Sequence, residues 1–276
     1  MSLVTRLGRY GPAASWVEAA RAKAHRPALA VRLPFVVNGQ AVGSVESVVM
    51  ERIASQGLLV PPYSLGLEGA IWHLRSEAQD STAAMNALAA ALREIGACGP
   101  WRNEQLAVSN ESGERIGTTE RGTVRVLGIA STAVHLIGVN SQGDMWVQQR
   151  SLVKPNNPGM WDTLMGGMVS AADTMQLALE RETWEEAGLR IADLIDVTHG
   201  GHVDFSHPSE EGGDIGFMRE RIDWFSACIP DGLEPCNQDG EVERFELIGK
   251  DELLARLARG EFTPEASLVL AAYFGW

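Results

Sequence analysis

Basic residues are scarce in this chain. Across 276 residues, 23 Lys and Arg stand against 36 Asp and Glu, a net charge of -13. That balance argues against broad binding to nucleic acid or an anionic membrane, because both partners need a basic field that releases counterions. Cysteine is scarcer still. Cys98, Cys228 and Cys236 are an odd set without CxxC spacing, which excludes a zinc knuckle or a disulfide framework and suits a reducing compartment. No apolar run approaches the roughly 18 residues of a membrane span, and the N-terminus has no basic region followed by an apolar stretch and a cleavage site. The expectation is a cytoplasmic protein. No GxGxxG opens a helix after a strand and no P-loop occurs, so a doubly wound nucleotide-binding fold is not indicated.

What is abundant is acid on one short stretch. Residues 166–189 read GGMVSAADTMQLALERETWEEAGL, a glycine turn ahead of a run of helix formers that ends at Gly188, a residue suited to a C-terminal cap. A helix is expected over 173–187. At 100° per residue Glu182, Glu185 and Glu186 share one face, with Leu177 and Trp184 expected opposite them in the core. Three like charges on one patch are unfavourable without a compensating cation. Hard oxygen ligands suit Mg²⁺ or Mn²⁺. A solvated helix face is the bland alternative for such a pair of glutamates.

The full spacing goes further, because it resembles the Nudix box: Gly, five residues, Glu, seven residues, then Arg-Glu-apolar-any-Glu-Glu-any-Gly-apolar. Here the positions are Gly167, Asp173, Arg181, Glu182, Thr183, Glu185, Glu186, Gly188 and Leu189. Asp173 stands in for the first Glu and Thr183 for an aliphatic residue. The resemblance implies a Nudix fold, a mixed sheet sandwiched between helices, and a pyrophosphohydrolase in which divalent cations bridge protein and diphosphate. It implies metal ligation by Glu182, Glu185 and Glu186, with the Gly166 carbonyl as a further ligand and Glu182 able to accept a proton from water. Arg181 would orient one of the glutamates through a charge-assisted hydrogen bond. Relatives often present another carboxylate near the turn at Asp239 and Gly240, which makes Glu241 the candidate; a solvated hairpin tip is the alternative there. Arg150 and Lys154, just before the box, are candidates for phosphate contact.

Along the chain, residues 1–115 read as a smaller N-terminal α/β domain and 116–276 as the Nudix domain. In the first, helices are expected at 15–24, 48–54 and from Ser81 or Thr82, with a hairpin through 29–45 and a strand at 67–74. Residues 101–117 suit a linker or short strand, and a short helix is expected from Thr118. In the second, strands are expected at 133–139, 145–149, 164–165, 197–205 and 221–229, with a closing helix at 252–258. His199, His202, Asp204 and His207 invite zinc, but strand alternation sends the first two to different faces, so a substrate-side loop through Pro208, Glu210, Glu211 and Gly212 is preferred.

The wider sequence resembles Nudix proteins that carry an extra N-terminal domain and, in some fungi, are fused to thiamine pyrophosphokinase. The likeness rests on 110–150, PGMWDTLMGGMVSA and DGLEPCNQDGEVERFELI. It implies a small diphosphate substrate, oxidised thiamine diphosphate converted to the monophosphate, covered at its organic end by the N-terminal domain. ADP-ribose or another nucleoside diphosphate derivative is the alternative, and a non-catalytic ligand sensor is the alternative of another class. An isopentenyl-diphosphate isomerase is discounted because residues 150–169 lack a cysteine. A homodimer is left open.

Overall fold

The computed structural model describes residues 15–276. Residues 1–14, on which the expectation of no export leader rests, lie outside that range. The chain opens with helix α1, Ser15–Ala24, whose Trp16, Val17, Ala20 and Ala24 recur at helical spacing and are buried. Strands β1, Leu33–Val37, and β2, Gln40–Val45, form the expected hairpin around Asn38 and Gly39, followed by helix α2, Ser47–Ser55. The strand expected at 67–74 is instead two antiparallel strands, β3, Tyr63–Glu68, and β4, Ile71–Ser76, turning at Gly69 and Ala70. Leu67 and Ile71 flank that turn and are both exposed, so the apolar run across it marked no single buried face. Helix α3, Ser81–Glu94, is capped by Asp80, whose carboxylate accepts the Ala83 amide at 2.9 Å, rather than by Ser81 or Thr82.

These strands make a four-stranded sheet in the order β2-β1-β4-β3, with α3 packed over it. Its core, built on Phe35, Met50, Leu74, Leu88 and Leu92, also takes in Val124, Leu127 and Ile129. The stretch expected to be a linker or short strand forms a hairpin, β5, Gln105–Ser109, with β6, Arg115–Glu120. A single 3-10 turn over Arg121–Thr123 replaces the short helix expected after Thr118.

The second sheet has seven strands. They are β7, Ala130–Val139; β8, Met145–Arg150; β9, Trp161–Asp162; β10, Met165–Met168; β11, Ile195–Ser209; β12, Gly216–Cys228; and β13, Val242–Ile248. The path runs β11-β12-β7-β8-β13, with β10 also on β7 and β9 on β8. The β12–β7 pair is parallel and the others antiparallel, as a mixed sheet requires. Alternation along β7 sends Val134 and Leu136 to one face and Ala133, Ile137 and Val139 to the other. Helix α4, Met175–Ala187, covers the first face through Ala178 and Leu179. Helices α5, Lys250–Ala258, and α6, Pro264–Tyr273, cover the second together with α1. The arrangement is α/β, a sheet between helices, with a smaller N-terminal sheet beside it.

Three departures have clear causes. Helix α6 is apolar nearly all round, with Ala266, Leu268, Val269, Leu270 and Ala271 buried, so it offers no amphipathic stripe to read. Strands β11 and β12 run beyond the expected 197–205 and 221–229, in a long arm that reaches the N-terminal unit: the Phe217 amide donates to the Arg125 carbonyl at 2.8 Å, and Arg32 donates to the Ile215 carbonyl at 2.6 Å. Helix α4 starts two residues later than expected, because Thr174 is the cap and accepts the Leu177 amide at 3.2 Å. No helix among the described residues is long and apolar enough to cross a membrane.

Candidate active site

Strand β10 brings Gly166 and Gly167 against β7, and α4 follows after a turn that the N-terminal unit braces. The Ala171 amide donates to the Gln105 carbonyl at 2.7 Å, and Arg115 donates to the Ala171 carbonyl at 2.7 Å. Both glycines are needed for close approach. A Cβ on Gly166 would strike the His135 ring, and one on Gly167 would collide with the carboxylate of Glu182. The helix ends at Gly188, left-handed at φ 63°, whose amide returns to the Trp184 carbonyl at 2.9 Å.

The face of α4 turned to the core differs from expectation. Leu177 and Trp184 are 49% and 46% exposed, whereas Ala178, Leu179, Thr183, Glu186 and Ala187 are buried. Glu186 therefore lies on the inner face at 1% exposure, and the acids spread from the core to the rim. Its Oε2 accepts the Gly166 amide at 3.0 Å and the Gln148 amide group at 2.9 Å. The Lys154 ammonium lies 3.6 Å from its Oε1 and pairs also with Glu241. Burial nevertheless pushes the Glu186 carboxyl up to about 7, against the pull of Lys154 and these hydrogen bonds. Burial likewise pushes Glu182 up to about 7, opposed by Arg181 and reinforced by Glu186 and Glu185.

Arg181 is the hub of the rim. It donates to Asp173 at 3.0 and 2.8 Å, to Glu182 at 2.9 Å, to Glu185 at 3.0 Å and to the Met168 carbonyl at 3.3 Å. The late start of α4 leaves Asp173 outside the helix, where its shorter side chain meets Arg181. Thr183, the other departure from the box, is fully buried with a hydroxyl that has no hydrogen-bond partner.

Gly166, Arg181, Glu182 and Glu185 open onto a cleft of about 980 Å³ that also takes in Arg150, Lys154 and Glu241, whereas Glu186 does not line it. Arg150 donates to the Asn156 carbonyl at 3.1 Å and lies 3.6 Å from Asp162. Lys154 holds Glu241 below the usual carboxylate range even though burial pulls it upward. Residues 207–211 line the cleft, whereas His199 and His202 do not: His199 bonds Asp223 at 2.8 Å and His202 lies 3.7 Å from Asp204.

Several cleft residues escaped the sequence reading. His135 on β7 bonds Thr163 at 2.9 Å, and burial lowers its pKa. Arg125 pairs with Glu220 at 2.7 Å, and Glu265 opens α6. None sits in a local pattern; each becomes part of the site by crossing between elements far apart in the chain.

A family model for the NUDIX domain matches residues 130–268, half of the chain. The chain belongs to the NUDIX family and is a Nudix pyrophosphohydrolase. It is 30% identical over 163 residues to an uncharacterized Nudix hydrolase of Listeria monocytogenes, covering 58% of this chain and 89% of that one. It is 30% identical over 146 residues to Nudix hydrolase 20, chloroplastic, of Arabidopsis thaliana, covering 52% of this chain but only 38% of the plant protein. Among solved structures it resembles DR0079 of Deinococcus radiodurans at 26% identity and a TM-score of 0.48, over 62% of this chain and 99% of that one.

Proposed function

We propose that this protein hydrolyses a diphosphate linkage with a divalent cation, Mg²⁺ or Mn²⁺, held by Glu182, Glu185 and Glu186 with the Gly166 carbonyl, and that oxidised thiamine diphosphate, yielding the monophosphate, is its substrate. The observation that carries the metal reading is the mismatch at Glu182 and Glu186. Both carboxyls are enclosed enough to be pushed up to about 7, so ionising them calls for a cation, and Lys154 already presents one positive charge between Glu186 and Glu241. The donor set is all oxygen, which fits a hard ion. Such an ion, when bound, neutralises phosphate oxygens and lowers the pKa of an attacking water.

The chain's own groups do the rest. Arg181 ties Asp173, Glu182 and Glu185 together; no three acids among the described residues stand in metal-holding geometry here, so receiving the cation calls for Glu182, Glu185 and Glu186 to turn toward one another. Glu182, near neutrality, accepts a proton at its carboxylate. Glu241 adds a further carboxylate at the rim, and Lys154 and Arg150 supply positive charge to the diphosphate. Glu104 and Arg121, paired at 2.7 Å, bring the N-terminal side of the chain to the cleft wall, which supports a covering role for residues 1–115 over the organic end. Free Cys98, Cys228 and Cys236 support a reducing compartment, the cytoplasm.

Product analysis with Mg²⁺ tests the reading on oxidised thiamine diphosphate, thiamine diphosphate and ADP-ribose, with Glu185→Gln and Glu186→Gln as controls. Turnover of the thiamine compounds that the controls lose is the expected result. Preference for ADP-ribose would retain the metal site and reject the thiamine substrate.

A further inference from the structure

Among the cleft residues outside the box, His135 on β7 has the most constrained geometry. It is 6% exposed and lines the cleft wall. The box acids lie across a strand from it. A Cβ on Gly166 would come within 2.7 Å of its Nε2 and Cε1, whereas one on Gly167 would point into the Glu182 carboxylate. Neighbouring strand residues face opposite sides, so β10 separates His135 from Glu182. On the His135 side, Ala133, Met218 and Ile222 give the wall apolar surface. That side suits the organic end of a ligand rather than its phosphates.

The proton on this ring is placed by its neighbours. The Thr163 hydroxyl has one hydrogen, which goes to the Met165 carbonyl at 2.9 Å, a group that can only accept. The same hydroxyl oxygen lies 2.9 Å from His135 Nδ1, so it accepts there and Nδ1 is the donor. Asp162, 3.6 Å from Nδ1, favours the proton on that same nitrogen. At about pH 8, above the ordinary imidazole value of about 6.5, the ring is neutral and Nε2 carries a lone pair. No described residue donates to Nε2, and it is not sealed from solvent. A histidine that served packing alone would have its buried polar atoms satisfied within the protein. Here one nitrogen fixes the ring and the other is held towards the cleft as an acceptor.

We propose that His135 is a specificity residue for the organic end of the substrate, its Nε2 accepting a hydrogen bond from an N–H or O–H group there. An amine or a hydroxyl supplies the same contact. A ligand that presents only acceptors at that point leaves Nε2 unbonded and is disfavoured. The inference rests on the reading that this cleft binds a diphosphate ester.

The test uses the full chain, wild type, His135→Gln and His135→Phe, at about pH 8 with Mg²⁺, and calorimetric binding of AMP and of thiamine monophosphate. Both probes carry an amino group on a heterocycle, and neither requires turnover. Gln sets an amide oxygen near the Nε2 position, whereas Phe keeps a ring and removes the acceptor. Gln should bind the tighter probe within about threefold of wild type, while Phe weakens it by roughly ten- to a hundredfold, the range of one hydrogen bond to a buried partner. Purine riboside monophosphate, which has the ribose hydroxyls of AMP but no amine, separates the two donors: dependence on His135 retained there assigns a hydroxyl, and dependence lost assigns the amine. Inorganic pyrophosphate, which lacks the organic end, should bind all three proteins alike. Nitrogen NMR of the wild type reads the tautomer without any ligand. The ring signals that disappear in His135→Phe should show a protonated Nδ1 and an unprotonated Nε2, and the Nε2 signal should move when the tighter probe binds. A protonated Nε2, equal affinity of wild type and Phe for both probes, equal loss in Gln and Phe, or binding of neither probe by wild type would overturn the assignment. Weaker pyrophosphate binding in Phe together with a lower melting temperature would identify a packing role only. The hydrolysis assay reports separately on the diphosphate reading: absence of turnover with intact, His135-dependent binding rejects that reading and leaves this one standing.

Discussion

Glu220 and Glu186 are both enclosed, at 7% and 1% exposure, and burial alone would raise the pKa of each. Their fates differ. The Arg125 guanidinium and the Ser131 hydroxyl hold Glu220 below the usual carboxylate range, whereas Gly166, Gln148 and a more distant Lys154 leave Glu186 near 7. The first pair joins β12 to the segment that ends the N-terminal core and is complete in itself. The second set gives Glu186 no counter-charge at hydrogen-bond distance, the Lys154 ammonium standing 3.6 Å away. Two enclosed carboxylates thus shift in opposite directions, and the distinction lies in the partners, not in depth.

The largest expected effect breaks the completed pair. Arg125→Met should cost about 3–5 kcal/mol in urea unfolding, because Glu220 is left enclosed without its counter-charge. Glu186→Gln should do the opposite to the second set: turnover falls by at least about 10²-fold, the loss expected when a few kcal/mol of metal-dependent stabilisation disappears, while metal-free stability is unchanged or higher. Comparing the two variants by steady-state assay and unfolding separates the two kinds of acid directly.

A third outcome concerns pH. Glu182 and Glu186 rise from an ordinary 4.5 to about 7 on folding, so between those values the folded protein binds more protons than the unfolded chain. Metal-free stability should therefore fall as pH climbs from about 4.5 through about 7, and Glu265 adds to the same slope. Excess Mg²⁺ should flatten it, with about 2.7 kcal/mol gained at a hundred times the dissociation constant. Melting curves with chelator and with Mg²⁺ across that range measure both. A slope that is unchanged by Mg²⁺ would remove the cation from these carboxylates. The smallest effect is at Thr183→Val, which deletes a buried hydroxyl without a partner and should stabilise by about 1 kcal/mol with turnover unchanged.

The box was legible because its chemistry is local. Helical spacing alone groups Glu182, Glu185 and Glu186, Gly188 marks where the helix stops, and the glycine pair announces a close approach. Errors arose where local signals compete. Thr174 and Asp173 are both capable caps, and only the packed structure chose Thr174, which released Asp173 to Arg181. Leu177 and Trp184 looked like core residues, but the face turned to the sheet is Ala178, Leu179, Thr183, Glu186 and Ala187, and those two side chains remain outside.

The sequence by itself determined the α/β class, the acidic helix with its glycine turn, and the oxygen-rich donor set, since each follows from residues a few positions apart. Only the tertiary structure decided that Lys154 stands between Glu186 and Glu241, that His135 lies over Gly166, and that Arg125 satisfies Glu220 while Glu265 is left facing the cleft. Those contacts join strands and helices up to a hundred residues apart, for example Asp162 with Thr263. A carboxylate's charge, partner and pKa are set by what packing brings beside it, and that information has no period or spacing along the chain.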